Sequence, residues 1–429
     1  MKKLLTFLLC LTLCLFVFVG CGSSDKNSDN DTPESTAETV DPLGDSVRTE
    51  APTESEPPKV NTIDPEKYAP DLSKYAAYKK FDAPTGDLRE IVYNHMYTMS
   101  QVKWVAGKTW TTHKENGSTG LQLKYIEGKT YYGVPYAQTK CALYTFEDFI
   151  IDGTFTPNSD IYEEIIGNHC SASMGLAYQQ IIDLPYYGGL KENNHRQGLI
   201  SLAEGLTLPP PDEEGNLSYD SKAVFDLNGV DKIYDAYATL GRGDILYKMV
   251  APSGHTRMVS KVEVAKTAAG KIIPTRSFVY CIEQTSAWAD NKQESTWFID
   301  RKYSFEKLAS TLFTPFTLDI FHEETPVVYD AYILVTDRND ETSLKKMLKG
   351  TIETTFPINY VRATITDSEG NIVKEVLKYD LQNNYKITLR DMTYTLSADK
   401  LPAGKYNFSL KAAIARGGWE IENFDFTIE

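Results

Sequence analysis

Residues 4–19 form an apolar run, broken only by Thr6 and Thr12, between Met1-Lys2-Lys3 and Gly20-Cys21. No other segment of the chain approaches its length and apolarity. A basic start, an apolar stretch and a small-residue site are the three parts of a secretory signal. The run is nearly long enough to span a bilayer, but the composition changes abruptly at Cys21, as cleavage there requires. Residues 21–62 are Ser, Thr, Asp, Glu and Pro with almost no large apolar side chains. Such a segment cannot bury enough surface to offset its ordering entropy, so it is expected to be a disordered tether, extended by its acidic excess. Everything beyond it should fold outside the cytoplasm.

A cysteine directly after Val19-Gly20 resembles the lipobox of bacterial lipoproteins, with Phe18 in place of the commoner leucine. The resemblance implies cleavage before Cys21 and lipidation of its thiol, which would hold the protein on the outer face of the cytoplasmic membrane. Two acyl chains anchor stably where one is marginal. Cys10 and Cys14 would leave with the signal, so Cys141, Cys170 and Cys281 remain. An odd number in an exported protein means a free reactive thiol, or one bridge plus a free thiol; a Cys141–Cys281 bridge stays open. The formal charge of -15 argues against nucleic acid and anionic lipid as partners.

The folded part is too long for one small domain and suits two. Residues 87–103 carry apolar positions at helical spacing and predict an amphipathic helix. Residues 107–132 alternate short polar turns with aromatic and apolar residues, which predicts strands and hairpins. Residues 160–182 read as helical, with Cys170 inside the helix or at a break in it. Residues 184–220 are rich in Pro, Gly and Asn and read as a long loop or insertion. A short helix over 230–240 then leads into strands at 243–250, 255–264 and 278–283. After Phe321 the texture changes to short alternating runs separated by turns, which predicts an all-β sandwich over 322–429. The fold class expected is thus α+β over 63–321, helices first and an antiparallel sheet after, followed by the sandwich.

The chemistry concentrates at Gly167-Asn168-His169-Cys170-Ser171-Ala172. A thiol at a helix start feels the positive end of the macrodipole, which favours its thiolate. Backbone N–H groups there can also stabilise an oxyanion. Downstream, His255 opens a strand after a tight Gly254 turn and can serve as a base. Glu283 on the next strand can fix its tautomer, with Gln284 as the alternative orienter. His95, His113, His195 and His322 have no partners at metal-ligand spacing, so neither a metal nor a cofactor is expected.

A cysteine at a helix start, a Gly243-Asp244-Ile245-Leu246 strand and Gly254-His255-Thr256-Arg257-Met258-Val259 resemble the papain-like NlpC and CHAP families of cell-wall cysteine hydrolases. Ile282-Glu283-Gln284 is similar to the strand that supplies the third catalytic residue in CHAP domains. Gly133-Val134-Pro135-Tyr136 resembles the stretch whose tyrosine lines the substrate groove. The resemblance covers about residues 131–286. It implies a papain-like hydrolase domain with Cys170, His255 and Glu283 as catalytic residues and Tyr136, His169 and Ser171 along the groove. Its substrate would be a peptidoglycan stem or another extracellular peptide or amide. The sandwich, Ig-like in texture, would position the enzyme on the wall or on a partner.

The chain departs from the family where His169 precedes the cysteine in place of Asp, and where Ser171-Ala172 follow it in place of Ser-Gly. Two alternatives follow. One is a catalytically inactive papain-like module that binds wall or glycan. The other is a transglutaminase-like enzyme in which Asp300, in Trp297-Phe298-Ile299-Asp300, completes the triad.

Overall fold

The computed structural model describes residues 65–115, 121–184, 199–210, 220–250, 253–379 and 384–429. The signal, Cys21, the tether, His195 and most of the expected 184–220 loop lie outside the described residues.

Helix α1, Leu88–Gln101, starts where the Asp87 carboxylate accepts from the amides of Arg89 and Glu90. Val92, Met96 and Met99 then fall on one face and are fully buried. Residues 160–169 are turns and bridges instead of helix, and α3 begins at Cys170 and ends at Tyr178. All nine of its residues are buried. Serine, alanine and glycine are small enough to let neighbouring chain close around every side of it.

A six-stranded antiparallel sheet organises this domain. Its spatial order is Trp297–Ser304, Phe278–Gln284, Ser253–Glu263, Ile245–Val250, Thr314–Leu318 and Ile200–Leu202. The last of these strands falls in the stretch expected to be loop. Side chains alternate across a sheet, and both faces here are covered. Ile245, Tyr247, Met258, Ile282 and Phe316 pack with α1 and with Met174, Leu176 and Tyr178 of α3. Leu246, Val259, Val279, Cys281 and Tyr303 pack on the other face with Ile233 and Tyr237 of helix Val230–Thr239 and with Phe305 and Leu308 of helix Phe305–Ser310.

The second unit has two four-stranded antiparallel sheets around one core, in which Ile333 and Ile352 of one sheet meet Val361, Phe408 and Leu410 of the other. It differs from the expected domain in two ways. It is not all-β, because helices Glu341–Lys346 and Arg390–Leu396 contribute Leu344, Met392 and Leu396 to its core. It also begins earlier in the chain. Strand Ala77–Phe81 pairs with Ala331–Val335, and Tyr68 belongs to the same core. The α+β domain thus lies in the chain between this strand and the rest of the β domain.

Candidate active site

Cys170 is positioned by a ribbon of chain that runs against the residues just before it. The Ala137 amide donates to the Asn168 carbonyl at 2.7 Å, and the Asn168 amide donates to that of Pro135 at 2.9 Å. A side chain at Gly167 would stand 2.5 Å from the Pro135 carbonyl oxygen, so the close approach requires glycine. Tyr136 is buried in this ribbon and stacks on Tyr162 with ring centroids 5.7 Å apart. His169 takes the N-cap position of α3 in extended conformation. Its Nδ1 lies 3.1 Å from the Ser171 hydroxyl. Burial first, and the nearby Lys140 second, push the His169 imidazole down to about 3, so it is neutral at physiological pH. Cys170 is unbridged and 1% exposed. Cys141 and Cys281 are also buried and unbridged, so the bridge left open by the sequence is not formed.

His255 and Glu283 are brought together. His255 Nε2 is 2.5 Å from Glu283 Oε2, and Arg257 Nε donates to the same oxygen at 2.8 Å. The Tyr303 hydroxyl donates to Oε1, and Arg301 stands 3.6 Å from it. The Arg257 guanidinium lies 3.7 Å from the ring centroid of Tyr303 and 3.9 Å from that of Phe313, and the Phe313 edge meets the His255 ring. Burial opposes the charge on Glu283, but Arg257 and the bond from His255 outweigh it and hold the carboxyl well below its usual range. For His255 burial wins over Glu283, so its pKa is lowered.

Neighbouring residues of these strands divide between α3 and the side of the sheet that carries His255. Ser173 of α3 donates to Gln284 Oε1 at 2.8 Å, and Gln284 Nε2 donates to the Val134 carbonyl at 2.7 Å. Gln284, Ile282 and Met258 therefore face α3. One residue along each strand, Glu283 and Arg257 face the opposite way, toward Tyr303 and Phe313, and His255 shares their side. Tyr178 at the far end of α3 donates to the Gly243 carbonyl, and the Gly243 amide donates to the Val259 carbonyl within strand Ser253–Glu263. Helix α3 therefore packs on the face of these strands opposite to Glu283 and Arg257. Period-2 alternation is the physical reason. A Gly-His strand start does not reveal which face packs on the cysteine helix.

The remaining site expectations can also be placed. Gln284 spends both amide atoms on Ser173 and Val134, which makes it a tie between helix and ribbon. Asp300 has a left-handed backbone and accepts from the Tyr93 hydroxyl of α1 at 3.5 Å. Asp244 is buried, with Oδ1 2.9 Å from Arg89 of α1 and accepting from Thr317 at 2.6 Å, while Oδ2 accepts from the Gly241 amide. Arg257, Arg301 and Tyr303 were not singled out from the sequence. The available signal was their spacing of two from His255 and from each other. Among the described residues no group of His, Cys, Asp and Glu could hold a metal ion.

No protein family and no curated protein sequence matches the chain. The resemblance to papain-like hydrolases therefore rests on the residues named above.

Proposed function

We propose that this chain is an exported, lipid-anchored cysteine hydrolase of papain-like NlpC/CHAP type that acts on peptide stems of the cell wall. The observation that carries the proposal is Cys170 as the first residue of a fully buried helix, seated by residues 133–136, a stretch that resembles the one lining the families' groove. Amides in the first turn of a helix have no intrahelical acceptor and can stabilise an oxyanion. In the proposed reaction the Cys170 sulfur attacks an amide carbonyl, the leaving amine takes a proton, and water releases the acyl group. The β domain, which we read as Ig-like, would place the enzyme on its substrate.

One observation favours a second reading, a papain-like module that binds wall or glycan without cutting it. The His255 ring is already bonded to Glu283, and Glu283 is also held by Arg257, Tyr303 and Arg301. The test is mass spectrometry of peptidoglycan of several stem types incubated with the mature chain, with Cys170→Ala and with His255→Ala. New muropeptides from the parent and none from Cys170→Ala support the hydrolase, and their masses name the bond. Equal loss in His255→Ala would mean that its imidazole reaches Cys170 in the working enzyme. Wall binding with no fragments from any preparation would sink the hydrolase and leave the module.

A further inference from the structure

We infer that Asn359 of the β domain is a positioning residue for the Cys170 site, an assignment that rests on the hydrolase reading of that cysteine. Helix α2, Leu143–Glu147, follows Cys141 and starts after Ala142, a residue with no side-chain acceptor for the first amides of the helix. Asn359, on strand Ile358–Asp367 and 217 positions away, holds this start from outside: its Oδ1 accepts from the Ala142 amide at 2.6 Å and from the Thr145 hydroxyl at 3.3 Å. The other end of the helix is held by the same domain. Asp148 accepts from the Tyr360 hydroxyl at 2.6 Å and from Lys411 at 3.0 Å, and Arg362 donates to its carbonyl.

The segment before α2 is the ribbon that seats the cysteine. The Cys141 amide donates to the Gly167 carbonyl at 2.9 Å, and the Gly167 amide donates to the Thr139 hydroxyl at 2.9 Å. A continuous run of hydrogen bonds thus links Asn359 to Ala142, Cys141, Gly167 and the turn into Cys170. Every group in it is buried. The β domain fixes the far end of the ribbon whose near end sets where α3 begins.

Because Oδ1 acts only as an acceptor toward Ala142 and Thr145, chemistry distinguishes the role. Asn359→Asp keeps an acceptor, whereas Asn359→Leu has similar size and none. In the mature chain, amide exchange at residues 142–146 and 167 should be about tenfold or more faster in Asn359→Leu, as for a buried amide left unpaired. The pH profile of Cys170 alkylation, read by peptide mass spectrometry, should shift in Asn359→Leu and match the parent in Asn359→Asp, with Cys281 unchanged in both. On peptidoglycan, kcat should fall about tenfold with KM altered less than twofold. Tyr360→Phe, which removes one hydroxyl, should move each readout in the same direction by a smaller factor and decides the matter if Asn359→Leu fails to fold. Faster exchange with an unmoved Cys170 profile would overturn the assignment, as would an Asn359→Asp variant no better than Asn359→Leu. A parent chain that cuts no wall would overturn the hydrolase reading instead, and the alkylation profile would still decide whether Asn359 positions the cysteine.

Discussion

Glu283 has no exposure to solvent, and its charge is sustained by Arg257, His255, Tyr303 and, at longer range, Arg301. Glu283→Gln would leave Arg257 without its counter-charge in the interior. Loss of one partner of a buried pair costs about 3–5 kcal/mol, so urea unfolding should show a loss of that order. A carboxyl held below its usual value lends stability that is complete above its unfolded pKa of 4.5 and vanishes as pH falls through the folded one. His169, held neutral by burial down to about 3, acts in the same direction. Unfolded imidazoles take up protons below 6.5, and the folded one does not until far lower pH. Stability should therefore fall by about 1.4 kcal/mol per pH unit between pH 6 and pH 4 on account of this histidine. His169→Gln should flatten that part of the curve by the same amount in thermal or urea unfolding measured across pH.

At the scale of elements, the domain is tied together by a few residues whose neighbours leave no room for substitution. Gly133 has φ +82°, and a side chain there would stand 2.3 Å from the Trp297 ring. Gly133→Ala meets both a left-handed backbone and a clash with a buried ring, and should cost about 3 kcal/mol or more in equilibrium unfolding. Asp244 of the Gly-Asp-Ile-Leu block serves as the junction between α1, the loop at Gly241 and strand Thr314–Leu318. Asp244→Ala removes the acceptor for Arg89, the Gly241 amide and Thr317 together. A loss near 3 kcal/mol is expected, accompanied by faster amide exchange in the first turn of α1. An unchanged unfolding curve would show that this block has another purpose.

Across the whole molecule, the β domain is closed by a strand that precedes the α+β domain in the chain. Residues 77–81 must find residues 331–335 about 250 positions later, a contact of large sequence separation that closes late. A chain that begins at residue 83 would lose this strand, the packing of Phe81 and the stack of Tyr68 on Tyr329. Burying one large apolar side chain is worth about 1.5–3 kcal/mol, so the truncation should destabilise the β domain by at least about 3 kcal/mol. Thermal unfolding and proteolysis of strand Ala331–Val335 would show it. Equal stability of the two chains would mean that the first strand is an ornament of the domain and not part of it.

Helix α1, the strands near Ile245, His255 and Phe278, and most strands of the β domain are legible in the sequence. Their apolar spacing and turn residues are local properties that burial of one face or two enforces. The start of α3 at Cys170 is half legible: its small residues announce close packing, but the non-helical stretch before it depends on bonds to residues 135–141. The pairing of His255 with Glu283 is also in reach of sequence, since neighbouring antiparallel strands put them near each other. Which face of the sheet they occupy relative to α3 is not, because alternation fixes only that consecutive residues point opposite ways. The choice belongs to the side chains that pack best against α3, namely Met258, Ile282 and Gln284. In the same way, Ala142 shows locally that α2 lacks a side-chain cap, and only the folded chain could bring Asn359 to the Ala142 amide.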